Sequence, residues 1–569
     1  MRGLLLTLLL AMTAPAHAAW LHLCPQAGAP APQQPYADTA GADGAPLRWF
    51  ADSQAERPGC RSLALPAGAR VETLFPLAPA EEPERTILLH GRVREGRFAV
   101  SEHVLPSTRQ GTPKPGPMPL RENLLERMQA RAFGVEERVR VRLEGGRLTV
   151  GCGAGTRPAG VLLSGPWFLP RARLRLAASY SGGAGFTLQA ADAAQTERET
   201  ALTLGQLPAR MSASTEPFMF ALPKALDPAS WRHFVLQCPA QAASVTIASL
   251  ALEPDPVADR KPAARSTWVW KAADWREHGP RLLDWAAAHE VRDLFITVPF
   301  KNDAVREPAA LAAFIRAAGK RGIRVLSVDG DPHMVLPEQQ PALARLAHAY
   351  AAYNASVEPA ARLGGLQFDV EPYLLPEYGS GRIDWDARYL AMARTLRTAA
   401  GSLRLELVVP FWWDARTALL DGLAPLVDAL AVMDYRTDPA QVTAFALPFL
   451  DWGVRHRKQV RIALEAGEIA PETQRRYVRA EAGEAAQLLR LKLDGEQVLV
   501  LLREPVPTGP QAEPAHAGVF RLQSSREIDG SATTFHKDKP ALLRLLPGLE
   551  SDFSAWDEAF GGIALHEFH

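Results

Sequence analysis

Gly364-Gly-Leu-Gln-Phe-Asp-Val-Glu-Pro-Tyr373 is the stretch whose reading settles the fold. Side chains two apart on a strand share a face, so Gln367, Asp369 and Glu371 line up together while Leu366, Phe368 and Val370 take the other side. The apolar face suits packing against helices, and the acidic face suits the mouth of a barrel. On either side of this run, β-rich segments alternate with helical ones. The β-runs are Ser266-Thr-Trp-Val-Trp270, Asp293-Leu-Phe-Ile-Thr-Val298, Ile323-Arg-Val-Leu-Ser-Val328, then the run just quoted, Leu403-Arg-Leu-Glu-Leu-Val-Val409, Ala429-Leu-Ala-Val-Met-Asp-Tyr435, Val460-Arg-Ile-Ala-Leu-Glu465 and Gly562-Ile-Ala-Leu-His566. Eight such runs with helical crossovers predict a closed parallel α/β (β/α)8 TIM barrel over 266–569. An open doubly wound sheet is the main competitor, but it lacks its Gly-rich phosphate turn here.

The N-terminal half has a different grammar. Residues 19–150 are short strand-like runs broken by Pro and Gly, with a Pro-rich stretch over 105–120 and a hairpin signal at Val139–Val150. Residues 151–255 continue as strands without helices, which predicts an antiparallel, all-β, jelly-roll-like sandwich. That run loosely resembles the galactose-binding-like jelly rolls appended to carbohydrate enzymes, and it reads either as a carbohydrate-binding module, as that resemblance implies, or as a structural spacer. A polar joint at 255–265 leads into the barrel. An insertion at about 466–534, with runs at Gln497–Leu502 and Gly518–Leu522, reads as a small β excursion on the barrel rim.

Of 569 residues, 47% are hydrophobic and 22% charged, with 63 Lys+Arg balancing 63 Asp+Glu. That hydrophobic share excludes a disordered chain, and the charge balance argues against a nucleic-acid partner. Residues 1–18 read as a cleavable signal peptide: Arg2, the apolar run Leu4–Met12, and small residues at Ala16 and Ala18. No other run is long enough to span a membrane, so the expectation is a secreted or periplasmic protein. Four cysteines in an exported chain suggest two disulfides, and spacing favours Cys24–Cys60 and Cys152–Cys238. No zinc-type spacing occurs, and neither a metal nor a cofactor is expected.

Barrel enzymes carry their reacting groups at the C-terminal strand ends. Those ends hold Asp329 and His333 (strand three), Gln367, Asp369, Glu371 and Tyr373 (four), Trp412 and Trp413 (five), Asp434 and Tyr435 (six), Glu465 (seven), and His566 and Glu567 (eight), with Trp268 and Trp270 on strand one. Asp369 and Glu371 lie roughly 6–7 Å apart along one strand face. Their repulsion and partial desolvation raise the pKa of at least one, as a general acid near neutral pH requires. Only one of Trp412 and Trp413 can face inward, and an inward Trp is either a stacking platform for a sugar or core filler. Asp434 shares the strand parity of Val432, so it faces either a helix or the mouth. His333, His566 and Glu567 are either hydrogen-bonding partners for hydroxyls or ordinary rim residues.

The strand-four run together with Met433-Asp-Tyr435 resembles the family-18 glycoside hydrolases, the chitinases and endo-N-acetylglucosaminidases. That family has D-x-x-D-x-D-x-E on strand four and M-x-Y-D on strand six. Gly364 and Gln367 stand at the first two aspartate positions, and Arg436 replaces the last. The chain is also similar to a group of uncharacterised bacterial barrel proteins with a D-V-E-P-Y strand and a G-I-A-x-H final strand. The first resemblance implies Glu371 as general acid, Asp369 orienting a 2-acetamido group, and Tyr435 hydrogen-bonding that group in the transition state. Gln367 could then orient but not relay a proton. Without an acetamido group a second carboxylate is needed, and Asp329, Asp434 and Glu465 are the candidates. The implied function is an exported glycoside hydrolase acting on a polysaccharide with N-acetylated sugars. A non-catalytic glycan-binding protein and a secreted polysaccharide-assembly factor are the alternatives.

Overall fold

The structure is a computed structural model. It describes residues 19–26, 36–40, 46–76, 86–94, 96–104, 116–192, 201–211, 216–222, 231–255, 263–375, 378, 383–481, 483–507, 516–556 and 558–568. The signal peptide expected at 1–18 and most of the joint expected at 255–265 lie outside the described residues.

Eight parallel strands close into a barrel: β1 (Arg265–Val269), β2 (Val291–Ile296), β3 (Arg324–Asp329), β4 (Leu366–Phe368), β5 (Leu405–Pro410), β6 (Ala429–Met433), β7 (Gln459–Glu465) and β8 (Phe560–His566). The expected TIM barrel is therefore present. Two of the helical crossovers start at side-chain caps. Asp438 accepts the Ala440 N–H ahead of Pro439–His456, and Asp538 accepts the Ala541 N–H ahead of Lys539–Phe553. Each cap satisfies an otherwise unpaired N–H, and the proline that follows loses no helical hydrogen bond. At the seam between β8 and β1, Gly562 adopts φ +112°, and a Cβ there would lie 2.0 Å from the Ala264 carbonyl oxygen. Only glycine fits at that point.

The pairing registers show which side chains face the lumen. Asp293 pairs with Arg324, Gln367 with Glu406, and Ala431 with Arg461. Arg461 crosses the interior, 2.5 Å from the Asp293 carboxylate and 3.1 Å from that of Glu406, and it is almost fully buried. Gln367 donates to Glu406 (2.8 Å) and accepts the Trp268 indole N–H (2.5 Å). Burial opposes ionisation of Asp293, but the charge of Arg461 and the hydrogen bond from Arg324 hold its pKa below the usual carboxylate range. The lumen floor is thus a polar network rather than the branched aliphatic layers common in such barrels.

Two mainly antiparallel sheets belong to the same compact unit as the barrel. One has the order Val139–Glu144, Arg147–Cys152, Ala243–Pro254, Leu174–Gly182, Phe218–Ala221. The other is built around Trp231–Gln237 and Ala159–Phe168. The Cys152–Cys238 disulfide ties them together. The 139–150 hairpin, expected to close the first domain, instead pairs through Arg147–Cys152 with Ala243–Pro254. Its alternating apolar face (Leu148 and Val150, both fully buried) needs the second sheet to cover it. Asp451 fastens this region to the barrel, accepting the Arg171 N–H (2.6 Å) and the Trp556 indole N–H (3.0 Å).

The second compact unit takes its described residues from 1–110, Glu371–Trp385 and Ala470–Gly530. It holds a four-stranded sheet (Tyr36–Ala40, Pro46–Asp52, Trp20–Pro25, Arg61–Ala64) braced by Cys24–Cys60. It also holds a seven-stranded sheet in the order Val71–Pro76, Glu496–Pro507, Ala485–Leu493, His516–Ile528, Glu472–Arg479, Thr86–Arg94, Arg97–Val104. The small β excursion expected here is part of a larger sheet: its four strands share it with three from the N-terminal region, through the pairs Glu496–Pro507 with Val71–Pro76 and Glu472–Arg479 with Thr86–Arg94. The reason is in Val498-Leu-Val-Leu-Leu502, which is apolar on both faces and needs both covered. Val498, Val500 and Leu502 pack with Leu21 and Trp49, while Leu499 and Leu501 pack with Ile87, Phe98 and Phe520. The two edges of the sheet meet where Glu72 accepts the Phe98 N–H (2.5 Å), so the sheet curls around the second cluster.

Both disulfides join the pairs expected from spacing. Replacing Cys152 and Cys238 by Ser is expected to cost about 2–4 kcal/mol, and more than the same change at Cys24 and Cys60, because the bridged loop is longer (86 against 36 residues). Denaturant titration of the two double variants checks the order.

Candidate active site

The mouth of the barrel is built by residues that keep lumen parity as the strands end. Met433 pairs with Ala463, and Glu465 with His566, so Met433, Glu465 and His566 share the inner face with Arg461. Tyr435 continues the parity of Met433, Asp369 that of Gln367, and Trp270 that of Trp268. These side chains meet at His566. Its Nδ1 lies 2.8 Å from Glu465 Oε2, and Trp270 donates its indole N–H to Nε2 at 3.1 Å. Tyr435 stacks on the imidazole with centroids 6.0 Å apart, and Trp268 meets it edge-on at 5.6 Å. Glu465 is fixed in turn by the Gly467 N–H (2.6 Å) on its other oxygen. Burial opposes charging of His566, but the hydrogen bond and charge of Glu465, with the charges of Glu567 and Asp369, hold its pKa above the ordinary histidine value. The acid of strand four and the tyrosine of strand six thus act on one imidazole.

Other expected site residues lie elsewhere. Gln367 is completely buried, with its amide shared between Trp268 and Glu406, so it belongs to the lumen floor and not to a ligand surface. Asp329 pairs with Phe368, which puts it on the helix-facing side. There it accepts the Tyr350 hydroxyl (2.7 Å), and burial pushes its pKa up to about 7 despite that bond. Trp268 is a buried lumen residue, and Trp270 is half-buried at the mouth. Trp413 is core, edge-on to Tyr389 and beneath Arg416, whereas Trp412 is 49% exposed. His333 is exposed and bonds Asp331 (2.8 Å), and Glu567 is exposed in a left-handed turn (φ 44°). Arg436, at the family's last motif position, lies over Phe411 (4.6 Å) and Phe445 (5.5 Å).

Glu371 and Tyr373 begin the segment Glu371–Trp385, which clusters with the second unit. Both are half-buried, and the Tyr373 hydroxyl donates to the Glu371 carboxylate.

Asp434 is fully buried, and among the described residues neither carboxyl oxygen has a hydrogen-bond partner. Burial pushes its pKa up to about 8, against the opposing charge of Arg436. It is therefore protonated at neutral pH. The unfolded chain ionises near 4, so folding is penalised progressively as pH rises from about 4 to 8 and by a constant amount above that. Asp434→Asn is expected to remove up to about 1.4 kcal/mol of stability loss per pH unit in that window. Its melting temperature then exceeds that of wild type by more at pH 8 than at pH 5.

Sequence reading missed Tyr350 and the Asp293–Arg461–Glu406 network. The signal for the latter was a lone charge inside each of two apolar runs, Leu405-Glu-Leu407 and Val460-Arg-Ile462.

The chain matches no protein-family model and no curated protein. Similar solved structures include a family GH18 chitinase from Cycas revoluta in complex with allosamidin, at 10% identity and TM-score 0.29, covering 53% of this chain and 94% of that one. The spore cortex-lytic enzyme SleL of Bacillus cereus matches at 9% identity and TM-score 0.29, covering 56% and 73%. The endo-1,4-beta-D-xylanase 10B of Clostridium thermocellum matches at 10% identity and TM-score 0.26, covering 64% and 82%. Overlap this loose adds nothing to the barrel assignment, which stands on the strand pairing itself.

Proposed function

We propose that this protein is an exported glycoside hydrolase acting on a polysaccharide that contains N-acetylated sugars. The observation that carries the reading is the convergence on His566: it bonds Glu465 and Trp270, Tyr435 stacks on it, and the charge of Asp369 acts on it, at the C-terminal end of a (β/α)8 barrel. Tryptophan and tyrosine beside carboxylates are the chemistry a pyranose ring needs, with apolar C–H faces for the rings and hydroxyls for the polar groups. In this reading Glu371, two residues beyond Asp369, protonates the glycosidic oxygen. Asp369 orients the substrate acetamido group, whose carbonyl oxygen attacks the anomeric carbon, and Tyr435 hydrogen-bonds that group. Two disulfides support export.

The burial of Gln367 favours a second reading. It removes from the mouth one of the two positions where the family carries proton-sharing aspartates, as a protein that binds glycan without cutting it would allow. Reducing-end release from a panel of acetylated and non-acetylated glycans separates the two. Release confined to acetylated substrates supports the hydrolase, and binding without release supports the lectin-like protein.

A further inference from the structure

We propose that His566 is a positioning residue which, held by Glu465, fixes Trp270 and Tyr435 as two walls of a saccharide subsite and lets go of Trp270 when it takes a second proton. The proposal rests on the glycan reading for what the walls hold, but not for the relay itself.

The relay runs through four groups in one line. The Gly467 N–H and His566 Nδ1–H occupy the two oxygens of Glu465, which leaves that carboxylate little freedom to turn. A larger residue at 467 would crowd this link, because a Cβ there would lie 2.8 Å from Glu567 Cβ and 2.9 Å from Glu465 Oε1. With Nδ1 donating to Glu465, Nε2 of the neutral ring is an acceptor, and it receives the Trp270 indole N–H. An indole N–H can only donate, so its direction is set by where that lone pair points. Tyr435 and Trp268 then flank the ring by stacking and edge contact.

Protonation inverts one link. The proton goes from solvent to Nε2, no other bond forms or breaks, and the imidazolium then presents N–H at both ends. Glu465 keeps its hydrogen bond and gains an ion pair, while Trp270 faces a donor and must turn. The charged groups acting on the ring are Glu465 on β7, Glu567 just after β8 and Asp369 just after β4, all acidic. Strands β1 and β6 contribute the uncharged rings of Trp268, Trp270 and Tyr435. The acidic surround favours the second proton and the Trp270 bond favours its loss, so the ring is poised between the two. A histidine that merely filled space would need neither an immobilised carboxylate nor an indole donor.

The test follows the Trp270 indole ¹⁵N–H resonance, assigned by its loss in Trp270→Phe, across roughly pH 5–9 in folded protein. Wild type is expected to titrate with a midpoint above the ordinary histidine value. Glu465→Gln keeps a hydrogen-bond acceptor but removes the charge, and should lower that midpoint by about one pH unit or more. His566→Gln should leave the resonance flat. Affinity for an N-acetylglucosamine oligomer should fall on the acid side with the same midpoint in wild type and lose that dependence in His566→Gln. A flat Trp270 resonance in wild type, or an unmoved midpoint in Glu465→Gln, overturns the proposal. Titration of Trp270 without any oligomer binding supports the relay and overturns the glycan reading instead.

Discussion

Glu371→Gln is expected to lower reducing-end release by about 10²–10⁴-fold while leaving glycan affinity within a few-fold of wild type. The magnitude is that of losing a positioned general acid, and retained affinity follows because the amide preserves shape and can still accept from Tyr373. A further check comes from the leaving group. An aryl glycoside with a good leaving group needs little protonation, so its hydrolysis should suffer far less than that of the natural linkage. Equal losses on both substrates would assign Glu371 some other role. In the proposed mechanism Asp369→Asn should be damaging on both, since orientation of an acetamido group would precede departure of either leaving group. A wild type that binds but releases nothing would leave the lectin-like reading.

The largest loss of stability is expected at Arg461. Arg461→Met leaves the buried Asp293 and Glu406 carboxylates without the cation that bridges them, and breaking a buried pair of this kind costs about 3–5 kcal/mol. Asp293 keeps Arg324, and Glu406 keeps Gln367 and, at 3.6 Å, Arg404, which limits the damage without removing it. Adding Glu406→Gln to Arg461→Met should recover part of the loss, because one of the two buried carboxylate charges is then gone while Arg404 gives up only a 3.6 Å pairing. Denaturant unfolding of the two single variants and the double variant gives the coupling. The pH dependence has its own sign. Asp293 is held below its unfolded pKa, so its contribution is complete above about pH 4 and disappears as pH falls through the lower folded value. The stability gap between wild type and the Arg461 variant should therefore narrow as pH falls below about 4, read from denaturant titrations at acid and neutral pH.

The barrel was legible because each of its strands is a local run bounded by a helix, and that alternation survives in a single sequence. The placement of Tyr435, Glu465 and His566 followed from strand ends and a two-residue period. Asp329 was misplaced because the strand end was read without its register. The pairing with Phe368 puts it under a helix, and Tyr350, which receives it there, is many residues away on Gln340–Ser356. Gln367 had the correct parity but the wrong depth, since one step along β4 separates the lumen floor from the mouth. The curled sheet was illegible for a different reason. Thr86–Arg94 pairs with Glu472–Arg479, and no local pattern announces a partner almost four hundred residues on.

That long-range pairing sets an order of events during biosynthesis. A chain made from its N-terminus presents Val71–Pro76 and Thr86–Arg94 early, yet their neighbours Glu496–Pro507 and Glu472–Arg479 emerge only after most of the barrel has been made. Until then two apolar strands wait with open edges, a state prone to pairing with the wrong chain. Maturation of this protein should accordingly depend on a holding chaperone, and truncation before residue 528 should yield aggregate in place of a shorter soluble product.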